Sequence, residues 1–157
     1  MDSKISKLRS ELKNIKDTYD YIFIDVTPIA WMEPLFIIIR IRHAIVIMLP
    51  DIASLEGNVG ILESISEIQE TTNTKLQIAG ILFNRSNDRT NLGRQVQDIA
   101  ERMAAEAETS VFDVKIPQAV SLSECVAAHL GITEYDPGSK AAEAIKDFSE
   151  ELERRIS

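Results

Sequence analysis

Tyr19-Asp20-Tyr21-Ile22-Phe23-Ile24-Asp25-Val26-Thr27-Pro28 is the stretch on which the fold turns. Tyr21 to Ile24 is a short aromatic and β-branched run, the composition of a strand buried on both faces of a parallel sheet. It closes on Asp25, an acid at the strand's C-terminal tip, and that edge is where open α/β sheets bind ligands. An Asp at this point can equally cap the turn that follows. On this run alone both readings stand.

Outward from it, helices and strands alternate. On the N-terminal side, Ile5, Leu8, Leu12 and Ile15 recur every three or four residues and predict an amphipathic helix over 3–17. On the other side a helix is expected to open near Glu33-Pro34, since Pro suits a first helical turn. A second buried strand covers Ala44–Leu49 and stops at Pro50-Asp51. A helix follows from about Ser54, read as its N-cap, to about Thr71, with Leu55, Val59, Leu62, Ile65 and Ile68 on one face. A third strand is expected over Leu76–Phe83, a helix from about Asn91 to Ala107, and a short fourth strand over Val111–Ile116. Pro137 opens a terminal helix whose inner face carries Ala141, Ala144, Ile145, Phe148 and Leu152. This alternation predicts the α/β class, a layered parallel sheet with helices on both faces. At 157 residues the chain has the size of one domain, 1–157.

Composition narrows the function. The chain is 45% hydrophobic and 27% charged, with a formal net charge of −8. Duplex affinity rests mainly on Lys and Arg neutralising phosphates, so an acidic balance argues against strong autonomous DNA binding. Cys125 is the only cysteine, which excludes an intramolecular disulfide. It reads as a small packed side chain. His43 and His129 have no ligand-like spacing with Cys125 or with acids, so no metal site of that kind is expected. The start, MDSKISKLRSELK, is too charged for a secretory signal. The apolar runs 35–39 and 44–50 are far shorter than the roughly 20 residues that cross a bilayer. The expectation is a cytoplasmic chain without a membrane partner. The final run Glu150-Glu151-Leu152-Glu153-Arg154-Arg155 reads as a solvated helix face, without the bulky basic pattern of a membrane-lying helix.

Five ordered blocks give the chain a resemblance to the ParA/Soj branch of the deviant-Walker partition ATPases. YDYIFIDVTP (19–28) resembles the family's Walker B strand and switch start, YDYIIIDxPP. Ala53-Ser54-Leu55-Glu56-Gly57 is similar to its ALEG segment. Gly80 through Leu92, GILFNRSNDRTNL, resembles GVLLTMYDxRTNL. Ile116-Pro117 through Val120, then Leu122-Ser123-Glu124, is similar to IPRNVRLSE. Tyr135-Asp136-Pro137-Gly138-Ser139-Lys140-Ala141-Ala142-Glu143-Ala144 resembles YDPxSxGAxA.

The resemblance implies a P-loop NTPase fold, ATP and Mg²⁺ as the family's cofactors, and DNA segregation as the lineage's role. It implies that Asp25 is the Walker B acid, reaching Mg²⁺ through water if a P-loop is supplied. It also implies Asn84, Pro117 and Asp136 as cofactor-binding positions, with Arg89 and Arg94 as the surviving DNA contacts. Implied partners are a ParA-like N-terminal half or a second copy, and a ParB-like protein. The implied location is the cytoplasm, associated with the nucleoid.

Departures from the family pattern qualify that list. There is no Gly before Gly57 and no Gly-Lys pair, so the family's KGGxGKT loop is missing from these residues. Such a loop cradles phosphates with backbone N–H groups, and its Lys neutralises them. Without it, no residue is assigned as catalytic, and the chain alone is expected neither to hydrolyse ATP nor to bind a cofactor. The two arginines of IPRNVR are Gln118 and Ser121, and its Asn is Ala119. Non-specific DNA binding is therefore expected to be weak or absent. The alternative reading is a non-catalytic interaction module that retains the family's dimer or partner surface. In the family the P-loop strand lies between the strands matching Ile22–Asp25 and Ala44–Leu49. Those two are expected to pair directly here.

Overall fold

The computed structural model describes residues 10–15, 17–26, 41–87 and 91–157. The chain divides into two compact units, Met1–Ile41 and Arg42–Ser157.

In the first unit, residues 10–15 are helical, inside the expected span 3–17, and Thr18 N–H closes the end on the Ile15 carbonyl at 2.9 Å. Residues 21–26 are not a strand. They carry no ladder, and Tyr21, Ile22 and Phe23 are exposed. A β-prone run becomes a strand only where a neighbour takes its N–H and C=O groups. The pairing expected between Ile22–Asp25 and Ala44–Leu49 therefore has no ladder to carry it. The helix expected near Glu33-Pro34 lies outside the described residues.

The second unit is built on β1 (His43–Met48) and β2 (Gln77–Phe83), joined by α1 (Ile52–Thr71) and followed by α2 (Asn91–Glu106), α3 (Val120–Ala127), α4 (Ile132–Tyr135) and α5 (Lys140–Ile156). The strands pair in parallel, from His43↔Gln77 to Met48↔Phe83. Ala44 faces Ile78 while Ile45 faces Gly80, so Ala79 is an extra residue, a β-bulge. Bonds from Gln77 N–H to the Arg42 carbonyl and from Asn84 N–H to the Met48 carbonyl, both 2.8 Å, extend the ladder at each end.

Layers form on the sheet because β2 is buried continuously from Ala79 to Phe83. Ala79 and Leu82 cluster with Phe112, Ile116 and Leu152, and Ile45, Ile145 and Phe148 pack against them, so α5 covers this face. Alternation sends Ile81 and Phe83 to the opposite face. α1 buries Leu55, Leu62, Ile65 and Ile68, and α2 buries Val96, Ala100 and Ala104. Each large apolar side chain removed from water contributes about 1.5–3 kcal/mol.

Several local expectations need correction. α1 begins at Ile52, with Asp51 rather than Ser54 as N-cap: the Asp51 carboxylate accepts from Ser54 N–H at 2.7 Å. Val59 is exposed, and Asn58 turns inward instead, donating to the Ser54 carbonyl at 2.8 Å and the Ile47 carbonyl at 3.4 Å. Val111–Ile116 is not a fourth strand. It meets β2 and its extension at the isolated bridges Ile81↔Val111 and Ser86↔Pro117 and through Ile116 N–H, which donates to the Phe83 carbonyl at 2.9 Å. Between them, Asp113 and Val114 give their N–H groups to the Glu151 carboxylate, at 3.1 and 3.2 Å. The terminal run is not simply a solvated face either: Glu150, Glu153 and Arg154 are exposed, but Glu151 and Leu152 are buried and Arg155 is half-buried.

Candidate functional site

At the C-terminal edge of the sheet the chain leaves both strands through short polar turns. After β1, Leu49 N–H donates to the Ser54 hydroxyl at 2.8 Å, which holds the Pro50-Asp51 turn against the start of α1. After β2, the Asn84 carboxamide oxygen accepts from Arg85 N–H at 2.9 Å. Arg85 itself sits at φ 53°, a left-handed conformation that Asn and Asp tolerate better than Arg. Ser86 then bonds across to the neighbouring segment, donating its N–H to the Ile116 carbonyl at 2.9 Å and accepting Gln118 N–H at 3.2 Å.

These turns and the first turns of α2 enclose a cleft of about 280 Å³, with Pro50, Phe83, Ser86, Arg94, Gln97 and Lys115 on its walls. The Lys115 ammonium donates to the Gln97 side-chain oxygen at 2.6 Å, and Gln97 in turn donates to Glu101 at 3.1 Å. Two cations, Arg94 and Lys115, thus line the cleft at this edge of a chain of net charge −8. Parallel-strand C-termini are the usual ligand edge of such sheets, and the cleft offers an anion a place there.

The residues singled out by sequence are only partly brought together. Arg94 lines the cleft. Asn84 and Pro117 stand at the same edge, Asn84 capping its own turn and Pro117 bridged to Ser86. Asp136 lies elsewhere, as C-cap of α4, where its carbonyl accepts from the Ser139 N–H at 3.1 Å and hydroxyl at 2.8 Å. Beside it, Tyr135 donates to Glu124 at 3.4 Å, and the Glu124 charge pushes the phenol above its ordinary value. Asp25 is exposed in the ladder-free segment of the first unit. Arg89 lies outside the described residues. Among the described residues, no cluster of three His, Cys, Asp or Glu side chains is arranged to hold a metal ion. Lys115 and Gln97 escaped the sequence reading, because a single Lys inside the apolar stretch VFDVKIP gives no periodic signal.

A family model described as "AAA domain" matches residues 1–78. The sporulation initiation inhibitor protein Soj of Bacillus subtilis is 31% identical over 150 residues, covering 96% of this chain and 58% of that protein. The chromosome-partitioning protein ParA of Myxococcus xanthus is 29% identical over 154 residues, covering 98% of this chain and 53% of that protein. The chain is similar to ParA- and Soj-type partition proteins along almost its whole length. The cell-division ATPase MinD of Pyrococcus furiosus superposes with a TM-score of 0.74 at 22% identity, over 96% of this chain and 58% of that one, a likeness of fold. The chain thus shares the α/β fold of MinD and spans somewhat over half the length of the relatives it matches.

The cleft among the described residues does not fit a whole nucleotide. A cleft of about 280 Å³ lies at the bottom of the range for small-molecule pockets, enough for a phosphate-sized anion. No Gly-rich backbone cradle stands beside it among the described residues. No step of phosphoryl transfer is therefore assigned to these side chains.

Proposed function

We propose that this chain serves DNA partition as a ParA-family protein, and that these residues by themselves bind rather than hydrolyse. The observation that carries the reading is the match to Soj across 96% of the chain, within which Arg94 and Lys115 line a cleft at the ligand edge of the sheet. In this reading Asp25 is the Walker B acid, useful once a P-loop is supplied by a ParA-like N-terminal half. Asn84 and Pro117 border the base of a nucleotide, Asp136 is a further cofactor-binding position at the end of α4, and Arg89 and Arg94 face DNA phosphate. ATP and Mg²⁺ belong to the assembled protein, which works in the cytoplasm on the nucleoid with a second copy and a ParB-like partner. The second reading, a non-catalytic interaction module, is favoured by the lack of any Gly-Lys pair in these 157 residues.

Assays on the purified chain separate the readings. Hydrolysis of ATP should not exceed a blank, because phosphoryl transfer depends on phosphate positioning and charge neutralisation by the P-loop and its Lys. Duplex DNA should bind weakly and with a steep salt dependence, and Arg94→Ala should weaken it further at low salt. Micromolar Mg-ATP binding that Asp25→Ala abolishes would overturn the proposal that a P-loop must come from elsewhere. Tight duplex binding at physiological salt would overturn the weak-DNA reading.

A further inference from the structure

Glu151 and Arg155 sit four residues apart on the last turns of α5, and both turn into the protein. The Glu151 carboxylate receives two successive backbone N–H groups, from Asp113 and Val114. Arg155 reaches past it. One guanidinium nitrogen donates to the Ala79 carbonyl at 3.0 Å and the Ser110 carbonyl at 3.3 Å; the other donates to the Val111 carbonyl at 2.9 Å and to Glu151 at 2.6 Å. The guanidinium lies over the Phe112 ring, 4.0 Å from its centroid. Ala79 is the bulged residue of β2, and the residue beside it is Gly80. An added Cβ at Gly80 would fall 2.5 Å from the Arg155 nitrogen, so the glycine is what admits the arginine.

Ser110 and Phe112 still bond to Ile81 of β2, at 3.1 and 2.9 Å, but Asp113 and Val114 hang on a helix where a strand would ordinarily hold them. The same segment runs on into Lys115, which lines the cleft, and Pro117, which bridges to Ser86 of the cleft wall. We propose that Glu151 and Arg155 are positioning residues: a latch through which α5 sets the 110–118 segment, and with it the cleft wall, without touching the cleft. A buried carboxylate is tolerable only with a paired cation and saturated lone pairs, and the arginine and the two N–H groups supply both. The inference stands whatever anion the cleft takes.

Amide hydrogen exchange of the full chain tests it. In Arg155→Lys, which keeps one charge but cannot span the carbonyls and the carboxylate together, the amides of Asp113, Val114, Ile116 and Gln118 should exchange about tenfold faster or more. Those of β1 and of the middle of α1 should keep their rates. Glu151→Gln should release Asp113 and Val114 in the same way, since its amide –NH2 can only oppose one of the two donors. Leu152→Ala is the control. It removes core volume between the two latch residues, so it should accelerate exchange globally with no selective effect on 113–118. Unchanged rates in both latch variants would show the contacts to be idle. A uniform rise across β1, α1 and 113–118, matching Leu152→Ala, would reduce the latch to ordinary core support. Either result overturns the proposal.

Discussion

Residues 21–26, YIFIDV, and residues 78–83, IAGILF, have nearly the same character: six residues, mostly β-branched, aromatic or aliphatic. Their fates differ. The second run lies in β2, with Ile81 fully buried and Phe83 2% exposed, and it shares a ladder with β1. The first run carries no ladder, and Phe23 is 72% exposed. The difference is not in propensity. β2 has β1 on one side, an isolated bridge to Val111 on the other, and apolar cover from α5 on one face. Strand formation is a property of the neighbourhood, and composition only makes a run eligible for it.

The sharpest way to break the comparison is to truncate one aromatic in each run. Phe83→Ala should cost about 3–5 kcal/mol, the transfer term plus an unfilled cavity. Phe23→Ala should stay within about 0.5 kcal/mol, as surface changes usually do. Urea unfolding of the two variants measures both, and equal losses would mean that residues 21–26 are buried in solution. A smaller effect probes the tightness of β2 itself. Gly80 has φ 158° and no room for a Cβ beside Phe112 and Arg155. Gly80→Ala should therefore cost about 2–3 kcal/mol by overpacking and backbone strain. A shift of the urea midpoint by less than a third of that seen for Phe83→Ala would show that the bulge relaxes easily. The smallest effect concerns the helix that follows β1. Asp51→Ala removes the carboxylate that accepts Ser54 N–H and should cost about 1 kcal/mol. Asp51→Asn should recover most of it, and failure to recover would assign the loss to charge rather than to capping.

Much of the architecture was legible in the chain itself. The 3.6-residue periodicity of residues 52–71 and 140–156 and the apolar runs of β1 and β2 declare themselves by spacing alone, and the ordered family blocks name the fold. Boundaries were less legible where two polar residues competed for one role. Asp51 and Ser54 are both good caps, and the Leu49 N–H that engages the Ser54 hydroxyl decides between them. The candidate site was legible in part: Arg94, Asn84 and Pro117 do meet at one edge, whereas Lys115 and Gln97 arrive there only through the packing of 111–117 beside α2.

What the sequence by itself determined is the α/β class, the resemblance to ParA- and Soj-type proteins, and the amphipathic faces, because these follow from periodicity and from residues at set spacing. Tertiary structure alone decided which apolar run became a strand and which charged residues turned inward. Glu151 and Arg155 read as solvent-facing by residue type, although their spacing of three and seven from Phe148 sets them beside the apolar face of α5. Their burial depends on carbonyls and N–H groups supplied by residues 79 and 110–114, far along the chain. A long-range partner determines whether a charge or an amide can leave water, and local sequence holds no record of it.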